Sequence, residues 1–218
     1  MLLLYKLLLP QFEAHVCNYN WKTFIEVYLD DYHVNPFHPG LGNFVDCNKL
    51  KWVFCDSFSV QAVGISEFKQ EGTSTYQKWQ DQVISFDKSG NLVWGAVWML
   101  IYPNIMIEWY PQTIVVSTVY PLEPQRTLNV TEFYYAEEIA MFNEEYVQAQ
   151  KEAYRETAKE DDEIAERMEQ GKQSERTKNK ANPNFLHPTL EKGIPEFYKY
   201  LKENSSTSLK EKYFESSI

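Results

Sequence analysis

Clusters of basic residues, cysteine pairs and long apolar runs are all scarce in this chain of 218 residues. The formal net charge is -10. Because proteins that bind nucleic acid present clustered Lys and Arg to the phosphates, this charge predicts that the chain has no nucleic-acid partner. The one stretch rich in Lys and Arg, GKQSERTKNK at 171–180, also contains Glu and lacks aromatic residues, and we interpret it as a solvated linker.

Cysteine occurs three times, as Cys17, Cys47 and Cys55. An odd, irregularly spaced set predicts a reducing compartment and argues against a disulfide framework. The opening MLLLYKLLLP (1–10) is apolar, but a membrane span needs about 20 apolar residues and Lys6 interrupts this one. The segment also lacks a basic leader and a small-residue cleavage site. We therefore expect a cytoplasmic protein without a membrane partner.

A strand-rich middle region predicts the core of the fold. FEAHVCNY (12–19) alternates apolar and polar residues as a half-buried strand does. From about 51 to 135 the chain is rich in β-branched and aromatic residues, KSGN (88–91) is the clearest turn, and no helical signal intervenes. Consecutive strands of this kind predict an antiparallel meander.

Helical patterns flank the strands on both sides. NWKTFIEVYLDDYH (20–33) predicts a helix with Asn20 as its N-cap, which Pro36 should end. A long helix is predicted from about 136 to 170, with Gly171 as its terminator, and a short one over GIPEFYKYLKEN (193–204). The polar residues after it should form a loose tail. The fold class predicted is α+β, a helix-grip sheet covered by the long C-terminal helix, with a pocket between them.

Half of the four histidines lie in EVYLDDYHVNPFHP (26–39), as His33 and His38. On an unbroken helix a spacing of five would put them on different faces. A break at Pro36 would let both imidazoles turn toward one point. Since a lone pair of histidines this close is more often incidental than ligating, a third ligand is needed. Two His and one carboxylate with open positions opposite is the arrangement that holds non-haem Fe(II) for oxygen chemistry.

Asp161 on the long helix is the candidate third ligand. A carboxylate in an apolar stripe must be paired or bind a cation, because burying it alone is costly. A buried salt bridge to Arg167 or Lys151 is an equally good interpretation at this point. The stripe that surrounds Asp161 consists of Tyr154, Ala158, Ile164, Ala165 and Met168, and the neighbouring acids expected to be solvated are Glu160, Asp162 and Glu163.

Asp30 precedes His33 by one helical turn, so its carboxylate can reach the ring nitrogen that does not bind metal. Such carboxylates fix the tautomer and raise the basicity of a ligating histidine. An ordinary acidic helix end is the alternative. It is weakened because acids near a helix C-terminus oppose the macrodipole, and both Asp30 and Asp31 stand there.

These residues resemble the catalytic domain of the Rieske non-haem iron oxygenases, the large (alpha) subunits of aromatic-ring-hydroxylating oxygenases. The resemblance lies in NWKTFIEVYLDDYHVNPFHPG (20–40) and in EDDEIAERMEQG (160–171), and it extends roughly from residue 12 to 201. It implies that His33, His38 and Asp161 bind Fe(II), that Asp30 bridges electron transfer, and that Asn20 lies next to the ligands. In the family's closing helix a His often stands where this chain has Tyr198.

The resemblance also implies a [2Fe–2S] centre held by a Cys-x-His and a Cys-x-x-His, and this chain contains neither motif. The chain is therefore expected to be the catalytic domain alone (12–202), with an atypical segment at 1–11 and a polar tail at 203–218. The opening segment, unlike anything in the family, suggests a truncated or split reading frame. Electrons would come from a Rieske partner and its reductase, and the family implies a homo-oligomer, a trimer.

The implied reaction is hydroxylation of an aromatic or related organic substrate with O2. The walls of the pocket are expected to include some of four sheet aromatics, namely Trp94, Trp98, Trp109 and Tyr110. Two other functions remain open: a ligand-binding module with a vestigial metal site, and a hydrolytic zinc site with the same three ligands.

Overall fold

The computed structural model describes residues 7–66, 72–86, 92–178 and 185–205, and the side chains of 7–11 and 176–178 are outside this description. Its strands are β1 (Leu7–Cys17), β2 (Val45–Cys55), β3 (Phe58–Ile65), β4 (Trp94–Ile101), β5 (Ile105–Tyr110), β6 (Thr113–Glu123) and β7 (Arg126–Ala136). Its helices are α1 (Trp21–Tyr28), α2 (Val34–Phe37), α3 (Leu41–Phe44), α4 (Ser74–Phe86), α5 (Glu137–Phe142), α6 (Glu144–Lys178) and α7 (Gly193–Asn204).

One seven-stranded antiparallel sheet forms the centre of the fold, in the order β1-β7-β6-β5-β4-β3-β2. Residues on β5, β6 and β7 alternate between buried and half-buried positions, so each strand presents one face to the core. The long helix α6 covers that face with Tyr146, Ala153 and Ala165, which are at most 1 % exposed. The α+β prediction with a covering C-terminal helix is confirmed.

The prediction of an uninterrupted meander is wrong, because α4 lies between β3 and β4. Its buried residues Tyr76, Trp79 and Val83 recur at helical spacing, and Trp79 stacks on Phe44 with ring centroids 4.4 Å apart. Aromatic and β-branched residues suggested strands here, whereas their spacing suits a helix. The predicted turn at 88–91 lies outside the described residues.

The helix boundaries also differ from those predicted. Asn20 caps α1 as predicted, since its side chain accepts a hydrogen bond from the Lys22 amide. However, α1 ends at Tyr28, well before Pro36, and Pro36 lies inside the short helix α2. Proline is compatible with the first turn of a helix, where the backbone N–H has no intrahelical partner. His33 and His38 thus flank α2 instead of following one broken helix.

The long C-terminal helix is divided and extended relative to its prediction. Asn143 separates α5 from α6, and its side-chain oxygen accepts a hydrogen bond from the Tyr146 amide. Gly171 lies within α6 and does not end it, so the predicted linker at 171–180 is helical as far as Lys178. The short helix α7 is confirmed, and β1 begins at Leu7, inside the segment 1–11 that was set apart. The polar tail lies mostly outside the described residues.

Candidate metal centre and cavity

Three side chains converge where α2 meets the middle of α6. His33 Nε2 and His38 Nε2 lie 3.0 Å apart, and Asp161 Oδ1 lies 3.1 Å from His38 Nε2 and 3.3 Å from His33 Nε2. Since α2 starts after His33 and ends before His38, one helical turn brings both rings to the same side. The structure therefore brings together all three residues that the sequence predicted as metal ligands.

The spacing of these atoms fits a metal ion. Ligands about 2.1 Å from an ion and at right angles to one another lie about 3.0 Å apart, whereas tetrahedral ligands lie about 3.4 Å apart. The observed separations of 3.0, 3.1 and 3.3 Å suit three ligands on one face of an octahedron. Two imidazole nitrogens and one carboxylate oxygen are also donors that Fe(II) accepts.

The electrostatics of the cluster favour a cation. Burial raises the pKa of Asp161, but the hydrogen bonds and positive charges of His33 and His38 outweigh it and hold that pKa well below its usual range. Burial lowers the pKa of each histidine, and the facing carboxylates more than offset this, so both imidazole pKa values are raised. Because ligating imidazoles must be neutral, binding of a divalent ion here would be coupled to proton release from the histidines.

Each histidine also faces a carboxylate with its second ring nitrogen. His33 Nδ1 lies 3.1 Å from Asp30 Oδ2, poorly aligned for a hydrogen bond, while His38 Nδ1 lies 2.7 Å from Glu160 Oε2. The approach of Asp30 was predicted, but Glu160 was expected to be solvated, which is wrong. Position 160 directly precedes Asp161, but no sequence signal distinguished Glu160 from the other acids of this segment. Both rings have a carboxylate that can set their tautomer.

Other acids near the cluster are also engaged. Asp162 was expected to be solvated, which is wrong, because it accepts a hydrogen bond from Tyr19 Oη at 2.6 Å and lies 2.7 Å from His15 Nε2. Glu163 is exposed, as expected, and pairs with Arg167. Lys151 lies 2.9 Å from Glu13 Oε1. The two cations considered as partners of Asp161 thus pair with other acids.

Asn20 is not part of the cluster. Its side chain accepts the capping hydrogen bond from Lys22 and donates to the Pro124 carbonyl at 2.6 Å, at the far end of α1. Its predicted place beside the metal ligands is corrected accordingly. Tyr198 likewise points elsewhere, since it donates to the buried carboxylate of Glu26, which also pairs with Lys172.

A cavity of about 400 Å³ opens beside the three candidate ligands, between the sheet and α6. Trp98 and Tyr110 line it, as expected, whereas Trp94 and Trp109 do not. By strand alternation Trp109 points away from the face that Tyr110 shares. The cavity has an aromatic group of lining residues, Tyr28, Trp79, Trp98, Tyr110 and Tyr154, and an acidic group, Glu13, Asp30, Asp31, Glu108, Asp161 and Asp162.

Two buried acids in this lining were not predicted as site residues. Asp31 is 2 % exposed and neither carboxylate oxygen has a hydrogen-bond partner, and burial together with Asp30 raises its pKa to about 8. Glu108 is 7 % exposed and accepts a hydrogen bond from Tyr110. In IMIEWY the phase of Glu108 matches that of buried Met106, which was the available signal.

The chain is similar in sequence to proteins of a known family. A family model described as the ring hydroxylating alpha subunit (catalytic domain) matches residues 9–206. The putrescine 2-hydroxylase of Ralstonia nicotianae is 50% identical over 196 residues, covering 89% of this chain and 54% of that protein. The putrescine 2-hydroxylase of Bordetella bronchiseptica is 48% identical over 195 residues, covering 89% of this chain and 45% of that protein.

A solved structure of a quaternary ammonium Rieske monooxygenase superposes with a TM-score of 0.65 at 18% identity, covering 89% of this chain and 49% of that chain. The fold is that of the catalytic domain of a Rieske oxygenase. The chain belongs to the family of ring-hydroxylating alpha subunits, in their catalytic domain. It spans about half the length of the curated relatives it matches. No helix in the described ranges is long and apolar enough to cross a membrane.

Proposed function

We propose that this chain binds Fe(II) through His33, His38 and Asp161 and hydroxylates a small aliphatic amine beside it. The observation that carries the proposal is the set of three ligand atoms 3.0 to 3.3 Å apart at one end of a cavity. Iron bound there supplies the activation of O2 for insertion of oxygen into a C–H bond.

The chain's own residues orient the ligands and shield the site. Glu160 holds the second nitrogen of His38, and Asp30 lies beside the second nitrogen of His33, so that each Nε2 points to the shared centre. His38 is 1 % exposed and His33 is 7 % exposed, which keeps water from competing for the ring nitrogens. Aromatic side chains wall the space next to the centre and exclude water from a bound substrate.

Electrons would arrive from a [2Fe–2S] centre, whose Cys-x-His and Cys-x-x-His ligands these 218 residues do not contain. We assign Asp30 as the bridge, because its carboxylate lies next to His33 and is 14 % exposed as a side chain, so it connects the ring to the surface. The solved quaternary ammonium monooxygenase is described as giving insight into inter-subunit electron transfer in that protein. The donor proposed for this chain is a Rieske domain outside these 218 residues, carried either by a separate protein or by a longer form of this chain in a homo-oligomer.

The substrate class is proposed as an amine in place of the aromatic compound expected from the sequence. Two relatives at 48% and 50% identity are named putrescine 2-hydroxylases. Six acids line the cavity, against the two cationic side chains of Arg155 and Lys159 and three histidines. An acidic, aromatic-walled cavity suits a cation with an aliphatic chain.

Anaerobic Fe(II) titration of the purified chain tests the metal site. We expect about one iron per chain, lost in His33→Ala and in Asp161→Ala and retained in the matched controls His15→Ala and Glu163→Ala. Equal loss in the controls, or no binding in the unaltered chain, would overturn the proposed site. Preference for Zn(II), together with hydrolysis of an ester or amide substrate without O2, would favour the hydrolytic zinc site instead.

Turnover tests the reaction itself. With a reduced Rieske protein, its reductase and O2 present, we expect putrescine to gain one oxygen atom, detected by mass spectrometry. Without the Rieske protein the iron-loaded chain should not turn over. An iron-loaded chain that fails with every amine and Rieske protein supplied would support a binding module with a vestigial centre.

A further inference from the structure

Glu108 is a carboxylate in the middle of the sheet. β5 is the central strand of the seven, and Glu108 lies on its inner face, directly between Trp98 of β4 and Val115 of β6. It is 7 % exposed, and that remaining surface faces the cavity that His33 and Asp161 also line. Burying an acid in such a place costs stability unless a cation or several hydrogen bonds compensate it.

The compensation present inside the protein is incomplete. Tyr110 donates a hydrogen bond to Glu108 Oε2 at 2.7 Å, and Trp98 Nε1 donates to the Tyr110 oxygen at 3.1 Å, so the tyrosine proton is directed to the carboxylate. In the described part of the chain no Lys or Arg forms an ion pair with Glu108. The carboxylate therefore has a fixed orientation and lacks a cationic partner.

Aromatic rings surround the same space. Tyr28, Trp79 and Tyr154 line the cavity with Trp98 and Tyr110, and Trp79 meets Tyr110 edge to face at 5.6 Å. The faces of such rings attract ammonium ions, and their carbon surfaces contact an alkyl chain. A carboxylate with aromatic neighbours is a common environment for binding an alkylammonium group.

We propose that Glu108 binds the ammonium group of the substrate, held in place by Tyr110 and Trp98, and thereby positions the substrate carbon chain at the His33–His38–Asp161 cluster. The inference rests on the proposed function in one respect, that the substrate is an amine. It makes Glu108 a determinant of specificity for cationic over neutral substrates.

A purely structural role for Glu108 gives a different expectation. A carboxyl group that is simply packed and hydrogen-bonded in its neutral form would be replaced by Gln without effect on amine binding. Burial raises the pKa of Glu108 to about 7, even though the Tyr110 hydrogen bond acts in the other direction. The group can thus ionise near neutral pH when an ammonium ion arrives next to it.

Isothermal titration calorimetry on the anaerobic, Fe(II)-loaded chain separates the two roles. In the unaltered chain we expect putrescine and n-butylamine to bind and 1,4-butanediol not to bind. In Glu108→Gln both amines should bind at least 10-fold more weakly, because a charge-assisted hydrogen bond is lost. Amine affinities within 3-fold of the unaltered chain would overturn the proposal.

Glu132 offers a matched control. It accepts a hydrogen bond from Tyr134 two residues later on β7, as Glu108 does from Tyr110 on β5, but it pairs with exposed Phe12 on the outer face of the sheet. Glu132→Gln should leave amine binding unchanged. A loss in this control equal to that in Glu108→Gln would indicate a general effect of charge and overturn the assignment.

Tyr110→Phe is the second variant should Glu108→Gln fail to fold. Without the Tyr110 donor the carboxylate is less easily ionised, so amine binding should weaken several-fold at pH 7, and unchanged binding would contradict the proposal. Iron stoichiometry is measured in parallel, so that the metal site and the role of Glu108 are tested separately. An unaltered chain that binds amine but no iron would overturn only the metal assignment. One that binds iron but no amine would overturn the amine substrate class, whereas amine binding that is the same in Glu108→Gln as in the unaltered chain would overturn only the role of Glu108.

Discussion

His38 and Glu160 form a pair that closes the candidate metal centre on the side of α6. His38 Nδ1 lies 2.7 Å from Glu160 Oε2, while its Nε2 lies 3.1 Å from Asp161 Oδ1. Two successive residues of one helix therefore hold opposite nitrogens of a single ring. The imidazole is 1 % exposed and has no freedom to turn its Nε2 away from the shared centre.

Glu160→Gln should lower the affinity for Fe(II) by about 10- to 100-fold, as is typical when the carboxylate behind a ligating histidine is lost. Anaerobic titration with a competing chelator measures the change. Glu163→Gln on the exposed side of the same helix is the control and should have no effect. If both variants bind iron as the unaltered chain does, Glu160 does not support the centre.

Asp30→Asn should keep iron at the centre but slow turnover. Its Oδ1 accepts a hydrogen bond from the Tyr32 amide at 2.7 Å, so an amide group can keep much of the local geometry while the charge next to His33 is removed. We expect unchanged iron stoichiometry and at least a 10-fold slower consumption of O2 when a reduced Rieske protein and putrescine are supplied. Turnover at the unaltered rate would exclude Asp30 as the electron-transfer bridge.

The stability of the metal-free chain should depend on pH through Glu108. Burial raises the pKa of this carboxyl from its ordinary 4.5 to about 7, with Asp161 as the nearby like charge and Tyr110 as the opposing hydrogen-bond donor. Between these two pH values the unfolded chain has released the proton and the folded chain still holds it. The free energy of unfolding therefore loses a contribution as the pH rises from 4.5 to 7.

Glu108→Gln removes that dependence. Relative to the unaltered chain, the variant should gain about 1 to 3 kcal/mol between about pH 4.5 and about pH 8, measured by urea unfolding with a chelator present and no amine. A constant difference between Glu108→Gln and the unaltered chain across this range would mean that Glu108 ionises normally in the folded state.

Gly171→Ala tests whether α6 continues past its glycine. A Cβ at Gly171 would meet no atom within 4 Å, and alanine in a helix interior is favoured over glycine by about 0.5 to 1 kcal/mol. The variant should raise the free energy of unfolding by that amount. Gly193→Ala is the contrast, because its Cβ would lie 2.6 Å from the Trp52 ring and should destabilise the chain. If Gly171→Ala destabilises the chain, the helix ends at Gly171, as the sequence predicted.

Much of the candidate centre was predictable from the local spacing of residues in the sequence. Asp30 lies one turn before His33, and the phase of Asp161 in an apolar stripe marks it as an acid that needs a partner. Consecutive segments rich in β-branched and aromatic residues predicted the antiparallel sheet. Family resemblance over the two motifs then implied the same residue, Asp161, as the third ligand.

Other features depend on contacts between distant segments. The helix α4 was missed because its aromatic and β-branched residues indicated strands more strongly than the spacing of Tyr76, Trp79 and Val83 indicated a helix. The contact that buries this helix, Trp79 stacked on Phe44, depends on a distant segment. Asn20 was assigned to the centre by resemblance, yet its side chain caps α1 and reaches the Pro124 carbonyl. Neither contact has a signal in the local sequence, since each is chosen by packing of segments far apart in the chain.

The amino-acid sequence by itself determined the strand and helix periodicities, the close spacing of His33 and His38, and the phase that leaves Asp161 facing the interior. Only the tertiary structure decided which acid stands behind His38. Glu160 and Asp162 are neighbours of Asp161 on one helix, and the sequence treats both as solvated acids. When α6 packs against α2 and β1, Glu160 contacts His38 and Asp162 contacts Tyr19 and His15. These contacts depend on the segments that α6 covers, which are far away in the sequence.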